Sequence, residues 1–398
     1  MGGGNGEVLQ GLADDFQSET GIAVNLVFQD SYEGVLTKFL GALESGEVPD
    51  LAQIDSLFAQ QVLGTGATEP VENLLSDSFP VDDLLPNVTS FFTVDDVLQS
   101  MPFNNSNAIM YYNRTAFEEA GLDPDSPPTS LAAVREYSET LVDEGVTEAG
   151  ITWPNHVWFV EHFYSVDGQL LFDAKNGHAG KASTLYTDNP TARRVYEWWR
   201  GMADDGLYTN PGIEAWGEAT STFLTGNAAM LLTSTAFVTG ARQGAKENGF
   251  EVDNAFYPTV DGDRVGPVIG GASWFAPSGL PDDRRAKIGQ FLEFMASPAS
   301  QITWHKGTGY YPNRQTAIDR LEASGWFEEN PMYRTAFDQL TEAENTPATK
   351  RMLVGPARQA QTTIQNTSVQ LFEGQVGIDE GLGQLKTTVE KQLNRYHS

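Results

Sequence analysis

Residues 101–113 read MPFNNSNAIMYYN, two apolar, β-prone runs on either side of a polar knot at Asn104–Asn107. Short apolar runs of this length are typical of buried strands. Helical patterns follow, beginning near Thr115 and Ser130. Strands that alternate with helices at this spacing predict βα units. We therefore predict an α/β fold built on mainly parallel sheets.

The same alternation precedes this stretch. A helical period runs from Glu7 to the glycine at position 21, and the next residues, 22–28, alternate as a half-buried strand does. A second helix follows, and residues 50–55 predict a short buried strand. Residues 268–277 predict another strand, which contains a Gly-Gly pair.

Composition limits the possible functions. A chain of 398 residues is too long for one core and predicts two domains. Its 54 acidic and 24 basic residues give a formal net charge of −30. This excess disfavours binding to nucleic acid or to anionic membranes. The acidic residues are spread along the whole chain, which favours a halophile over an ordinary acidic protein.

No catalytic, metal or cofactor site is predicted. The sequence has no Cys, so disulfides and thiolate chemistry are excluded. We find no P-loop, dinucleotide fingerprint, zinc-protease motif or nucleophile elbow. Among the five histidines only His156 and His162 are near each other in sequence. They are six positions apart, so they would not share one face of a helix. The chain also shows no run of about 20 apolar residues that would span a membrane.

Six ordered landmarks carry a family resemblance. They are LADDF (12–16) followed by DSYEG (30–34), MPFNNSNAIMYYNRTAFEEAGLDPDSPPTS (101–130), FLTGNAAMLLTS (223–234), VIGGASWFA (268–276), FMASPASQITWHKGTGYYPNR (294–314) and GWFEENP (325–331). With them the chain resembles the extracellular solute-binding proteins of ABC importers, of the maltose-binding-like class. Within that class it is most similar to the glycerol-3-phosphate-binding proteins.

The resemblance implies a monomeric, extracellular, two-lobed protein of the class II periplasmic-binding type. Ligand would be clamped in the interlobe cleft by hinge closure and delivered to permease subunits in the membrane. The implied lobes are residues 1–110 with 277–312, and 111–276 with 313–398. The implied crossings are Tyr111–Asn113, Gly270–Ala276 and Tyr310–Arg314.

The resemblance also implies binding residues. Those that match family positions are Tyr32, Ser106, Ser234 or its neighbour Thr235, Gly271 and Tyr310. A first-lobe Glu of the family falls at Asp55–Ser56, where the alignment needs a one-residue gap. The family's phosphate-holding Arg aligns with Leu353, so Arg351 or Arg358 would have to replace it.

Without such an Arg, the ligand would be a neutral sugar or polyol held by stacking and hydrogen bonds. The candidate stacking residues are Trp153, Trp158, Trp216 and Trp274. Two other functions stay open: an extracellular hydrolase or lyase, and a sensor module that docks on a receptor.

The resemblance implies one more strand and a signal or lipid-anchor segment ahead of Met1–Gly6. That strand would lie inside the first-lobe sheet. We expect its absence from this chain to leave ladder groups of the neighbouring backbone unpaired.

Overall fold

The computed structural model describes residues 3–260 and 262–398. They form two compact units. Unit 1 comprises Met1–Ser106 and Ile269–Pro331, and unit 2 comprises Asn107–Val268 and Met332–Ser398. No helix of the described residues is long and apolar enough to cross a membrane.

The helices are, in chain order, α1 Gly3–Thr20, α2 Tyr32–Ser45, α3 Ala59–Leu63, α4 Pro86–Phe92, α5 Arg114–Glu119, α6 Leu131–Asp143, α7 Val157–Val166, α8 Asp173–Asn176, α9 Pro190–Asp204, α10 Trp216–Leu224, α11 Val238–Asn248, α12 Asp282–Met295, α13 Pro298–Thr308, α14 Gln315–Ala323, α15 Trp326–Glu329, α16 Pro331–Thr341, α17 Ala357–Phe372 and α18 Ile378–His397. The strands are β1 Ala52–Asp55, β2 Thr68–Glu69, β3 Thr93–Val94, β4 Val97–Leu98, β5 Met101–Ser106, β6 Ala108–Asn113, β7 Ala149–Thr152, β8 Tyr208–Thr209, β9 Ala228–Ser234, β10 Val252–Ala255 and β11 Gly270–Pro277.

The sheet of unit 1 is organised around β11. This strand pairs antiparallel with β1, β2 and β5, so that Ala272 lies opposite both Asp55 and Asn104. The register places the end of β1 and the polar knot of β5 on either side of the same central strand. It thereby brings together residues about 50 positions apart in sequence.

The sheet of unit 2 has the order β10-β6-β9-β7-β8. Its β7 pairs in parallel with β8 and β9, whereas β6 pairs antiparallel with β9 and β10. Strand β6 is buried throughout, and helix α7 packs with every residue buried. Strand β7 (AGIT) is buried at all four positions, as expected of a parallel strand covered on both faces.

The α/β two-lobed class is confirmed, but parallel pairing is confined to unit 2 among the described strands. All the described strand pairs of unit 1 are antiparallel. The sequence pattern could not reveal this, because a buried strand is apolar on both faces in either direction.

The predicted lobe boundaries need three corrections. Residues 269–276 belong to unit 1, where β11 pairs, although we assigned them to the second lobe. Residues 107–110 belong to unit 2 because β6 pairs with β9. Residues 313–331 belong to unit 1, where Arg314 forms an ion pair with Asp83 at 2.5 Å. The chain therefore passes between units after Ser106, Val268 and Pro331, not at the crossings expected above.

Residues 22–28 do not form the predicted strand. They are extended and alternate between half-buried and exposed, as predicted, but the described residues give them no ladder partner. Val27 and Phe28 are 71% and 54% exposed.

Candidate functional site

In unit 1, a hydrogen-bonded line of polar side chains begins at the first residue of α2. Ser31 caps this helix by accepting from the Gly34 amide at 3.0 Å, and the cap fixes Tyr32 at its start. The Tyr32 hydroxyl accepts from Asn104 Nδ2 at 2.9 Å. Asn104 Oδ1 in turn accepts from Gln53 Nε2 at 2.6 Å. The line joins α2, β5 and β1.

Two further predicted residues lie beside this line. Burial raises the pKa of Tyr32 well above its usual value, and the nearby Tyr310 and Asp55 raise it further. Tyr310 is half-buried and stacks on Trp304 with ring centroids 5.7 Å apart. We call Tyr32, Gln53, Asp55, Asn104 and Tyr310 the unit 1 polar cluster. Its phenols, amides and carboxylate suit hydroxyl groups, since they both donate and accept hydrogen bonds.

Sequence reasoning found three members of this cluster and missed Gln53 and Asn104. Asn104 was visible as part of the polar knot, and its burial with no exposed area is the informative feature. A fully buried amide must be satisfied by partners. Its partners here are Tyr32 and Gln53, which no local pattern connects to it.

Three other predicted residues of unit 1 have evident packing roles. Gly271 has a φ of 91°, and a Cβ there would meet the Asn104 carbonyl oxygen at 1.8 Å. Only glycine fits this position. Ser106 pairs with Gly270 and is 3% exposed, and Ser56 is fully buried in the turn that the Asp55 carboxylate caps at 2.9 Å.

Ser234 and Thr235 of unit 2 lie at the end of β9. Ser234 Oγ accepts from the Ala236 amide at 3.1 Å, and Thr235 is fully buried. Their carbonyl oxygens accept from the Tyr111 hydroxyl, at 3.1 and 3.2 Å. Of the two hydroxyl residues, Ser234 is the more accessible and so the better candidate for contact with a solute.

Arg351 is a buried member of an internal ion pair. Its Nε donates to Glu161 Oε2 at 3.0 Å, and the two side chains are 3% and 2% exposed. Glu161 also accepts from the Met352 amide at 2.8 Å. Each charge of a buried pair depends on the other, because removing one would leave the second buried without compensation. Arg351 is thus placed for fixing residues 351–352 onto α7.

Arg358 is more exposed and belongs to a network around Glu214. Glu214 accepts from Arg358, Gln361 and Gln365 of α17 at 3.0, 3.0 and 3.1 Å. Glu214 also has a positive φ of 55°, which is uncommon for a residue other than glycine. Gln361 lies 3.0 Å from His156 as well. No local sequence pattern indicates this network, because its members are about 145–205 positions apart.

The four candidate tryptophans separate into two classes. Trp153 and Trp274 are core residues, 0% and 7% exposed, each packed against other rings. Trp158 is also buried, but Trp216 is half-buried at the start of α10 and lies 6.2 Å from it, between ring centroids. Of the four, Trp216 is the most accessible for stacking.

Comparison with known proteins gives the family. Residues 11–335 match the model of the bacterial extracellular solute-binding proteins. The chain belongs to this family. Among curated relatives, it is 27% identical over 381 residues to the sn-glycerol-3-phosphate-binding periplasmic protein UgpB of Pectobacterium atrosepticum, covering 94% of this chain and 85% of the relative. It is also 27% identical over 404 residues to UgpB of Yersinia enterocolitica, covering 100% of this chain and 91% of that relative.

Solved structures support the same fold. UgpB from Mycobacterium tuberculosis in complex with glycerophosphocholine matches with a TM-score of 0.83 at 20% identity, covering 98% of this chain and 96% of that one. The GacH receptor of Streptomyces glaucescens, studied with acarbose, matches with a TM-score of 0.83 at 16% identity, covering 99% and 96%. Members of the family bind solutes for transport. In the described part of this chain, no group of His, Cys, Asp and Glu side chains is arranged to hold a metal ion.

Proposed function

We propose that this protein is the substrate-binding component of an ABC importer and captures glycerol 3-phosphate or a related glycerol phosphodiester. The observation that carries the proposal is the unit 1 polar cluster. Tyr32, Asn104 and Gln53 form a continuous line of hydrogen-bonding groups, with Asp55 and Tyr310 beside it. Such a surface matches the hydroxyl groups of a glycerol moiety.

The phosphate has to be held elsewhere, since no member of the unit 1 polar cluster is a cation. A phosphodiester carries one negative charge, whereas a phosphomonoester carries close to two at neutral pH. The diester therefore loses less hydration on binding and needs fewer charged donors. Arg358 is a candidate donor on unit 2, because its side chain is 43% exposed. Arg351 is the weaker candidate, because its guanidinium is buried against Glu161.

A second candidate ligand is a neutral sugar or polyol. It is favoured by Leu353, which is 6% exposed at the position that aligns with the family's phosphate-holding Arg. In that case Trp216 would supply the stacking surface and the unit 1 polar cluster would bind the hydroxyls. Both candidates use the same hydroxyl-binding residues, so they differ only in the need for a cation.

For either ligand, we propose a non-catalytic, extracellular monomer that delivers its solute to permease subunits in the membrane. No cofactor is required for this role. We also propose that it works in high salt, because its net charge of −30 requires screening.

The test is a calorimetric titration in 2 M potassium chloride with sn-glycerol 3-phosphate, glycerophosphocholine, glycerol and maltose. The proposal expects a phosphate-bearing solute to bind at least tenfold more tightly than glycerol. If only maltose binds, the neutral-sugar hypothesis replaces the phosphate-ligand hypothesis. Turnover of any of these compounds would instead support the hydrolase hypothesis.

A further inference from the structure

Gln53 reaches across the central strand of the unit 1 sheet. Its side chain lies on the same face of the sheet as that of Asp55, because the two residues are two positions apart on β1. Ala272 of β11 lies opposite both Asp55 and Asn104, so the Asn104 side chain lies on that face as well. At this position the central strand carries only a methyl group. Gln53 Nε2 donates to Asn104 Oδ1 at 2.6 Å.

The length of the Gln53 side chain suits this span. Neighbouring strands are about 4.8 Å apart, so β1 and β5, on either side of β11, are about 10 Å apart. No backbone hydrogen bond can join two strands at that separation. A glutamine and an asparagine that extend toward each other can join them. The contact therefore connects two strands that backbone pairing leaves apart.

The hydrogen bond from Gln53 also fixes the orientation of the Asn104 amide. Asn104 is fully buried, so both of its polar atoms need partners. Its Oδ1 accepts from Gln53, and its Nδ2 donates to the Tyr32 hydroxyl at 2.9 Å. If the Asn104 amide turned over, its Nδ2 would face the Nε2 of Gln53, and two donors would meet. Gln53 thus decides that Tyr32 faces the donor atom of Asn104 and not the acceptor atom.

The direction of these hydrogen bonds determines what Tyr32 can offer. A phenol that accepts from an amide keeps its own proton and can donate it. In the ligand-free protein, Tyr32 is also hydrogen-bonded to Tyr310. Both phenols are half-buried. An oxygen atom of a solute can therefore reach them, and it can replace the contact between the two hydroxyls without leaving a donor unpaired.

We propose that Gln53 is a positioning residue, which fixes the Asn104 amide and thereby makes the Tyr32 hydroxyl a hydrogen-bond donor to the solute. This inference rests on the proposed function, in which the unit 1 polar cluster binds the hydroxyl groups of a solute. It adds that the solute supplies an acceptor oxygen to Tyr32. Gln53 acts through Asn104 and does not have to touch the solute itself.

The test is a double-mutant cycle between Gln53→Met and Tyr32→Phe. Each variant is titrated calorimetrically with sn-glycerol 3-phosphate, glycerophosphocholine, glycerol and maltose in 2 M potassium chloride. Methionine keeps the length of Gln53 without its donor, and phenylalanine keeps the ring of Tyr32 without its hydroxyl. We expect each single variant to bind the solute that wild type binds most tightly about fivefold more weakly.

The double variant separates a positioning role from a structural one. If Gln53 acts through the Tyr32 hydroxyl, Gln53→Met should weaken binding less than twofold once Tyr32→Phe has removed that hydroxyl. Independent roles would instead multiply to a loss of about 25-fold. Circular dichroism checks that each variant is folded. If Gln53→Met does not fold, Gln53→Asn takes its place, because its side chain is too short to span the distance to Asn104.

Gln53→Glu tests the direction of the hydrogen bonds. A carboxylate only accepts, so Asn104 would turn its Nδ2 toward residue 53 and its Oδ1 toward Tyr32. Tyr32 would then donate into the protein and not to the solute. We expect solute binding to weaken at least as much as in Gln53→Met. Wild-type affinity in Gln53→Glu would overturn the proposed direction.

Gln315→Met is the matched control. Gln315 is an exposed glutamine of unit 1 that donates to Asp319 at 2.8 Å. The same replacement therefore removes an amide hydrogen bond outside the unit 1 polar cluster. It should change solute affinity less than twofold.

Two results of the cycle would overturn the inference. If the losses of Gln53→Met and Tyr32→Phe multiply, Gln53 is a structural residue, and the proposed function stays intact because wild type still binds its solute. If wild type binds none of the four compounds, the proposed function is refuted and the role of Gln53 with it.

Discussion

The two units satisfy their polar groups in different ways. In unit 1, residues 1–106 contain 17 acidic residues and only one basic residue, Lys38, and the candidate site is a neutral line of phenol and amide groups beside Asp55. Unit 2 instead buries the Glu161–Arg351 pair and places Arg264 against an aromatic ring. The candidate site of unit 1 is therefore built on neutral hydrogen bonds beside one carboxylate, whereas the interior of unit 2 contains buried charge.

The largest expected effect is a loss of stability in acid, caused by the buried histidines of unit 2. Burial and the charges of Arg351 and Arg358 lower the pKa of His156 to about 3, and His162 has a similar pKa. His178 is lowered to about 4. These histidines stay neutral in the folded state, while in the unfolded chain they take up protons below about pH 6.5. Their contribution to stability is therefore complete above pH 6.5 and is lost as the pH falls toward their folded pKa values.

At pH 5 this loss amounts to about 2 kcal/mol for each of the three histidines. His305 is the corresponding residue of unit 1, with a pKa of about 4. Hydrogen exchange between pH 7 and pH 5 should therefore show unit 2 losing more protection than unit 1. His162→Gln should reduce the pH dependence of unfolding by about one proton. Equal losses of hydrogen-exchange protection in both units would contradict the expectation that unit 2 is the more sensitive to acid.

The next largest effect is expected when the buried Glu161–Arg351 ion pair is broken. Glu161→Gln should destabilise the protein by about 3–5 kcal/mol, because it leaves the Arg351 guanidinium buried without its counter-charge. Glu197→Gln is the control, since Glu197 is paired with Arg193 in an exposed i,i+4 arrangement. That change should cost less than about 0.5 kcal/mol. Urea denaturation measures both, and similar values for the two variants would show that the buried pair has no special role.

These buried contacts also show where sequence reasoning reaches its limit. The landmarks predicted the family, the two-lobed class and two members of the unit 1 polar cluster, Tyr32 and Tyr310, which lie in recognisable local motifs. Asp55 was assigned from a segment outside the landmarks, where the alignment needs a one-residue gap. The local motifs did not reveal the partner of Arg351, which is 190 positions away, or the buried Nη2 of Arg264, for which the described residues provide no hydrogen-bond partner. Such features depend on which distant segments pack together, and a local sequence pattern does not indicate these tertiary contacts.

The strands give a similar lesson. The alternation of residues 22–28 was read correctly as a pattern, yet it does not form a strand, because a strand also needs a neighbour with which to pair. Residues 270–277 form the predicted strand, but in unit 1 and not in the lobe to which we assigned them. Periodicity identifies an element, whereas its place in the sheet is decided by tertiary contacts.

Salt should have a smaller effect than the loss of buried contacts, and one that is greater on unit 1. The first 106 residues have almost no cations to offset their carboxylates. Raising potassium chloride from 0.1 M to 3 M shortens the Debye length from about 10 Å to below about 3 Å. We expect the melting temperature to rise by about 10 °C, equivalent to ~3 kcal/mol. A melting temperature that stays flat over this range would rule out the halophile proposal.

The smallest effect is expected for solute affinity when the tyrosines of the unit 1 polar cluster are replaced. Tyr32→Ala and Tyr310→Ala should each weaken solute binding by about tenfold, which corresponds to ~1.4 kcal/mol. Tyr310→Ala removes a half-buried ring, so the melting temperature of the ligand-free protein should change little. Tyr32→Ala also removes the acceptor of the fully buried Asn104 amide, so it should lower the melting temperature moderately. Tyr196→Ala is the control, because Tyr196 is a fully buried core residue that donates to or accepts from Ser368 at 2.8 Å. It should lower the melting temperature strongly. Under the proposed function the unit 1 polar cluster binds the hydroxyl groups of the solute. The two site variants should therefore lose glycerol and sn-glycerol 3-phosphate binding to the same extent. A selective loss of the phosphate compound would contradict the proposed hydroxyl-binding role of Tyr32 and Tyr310.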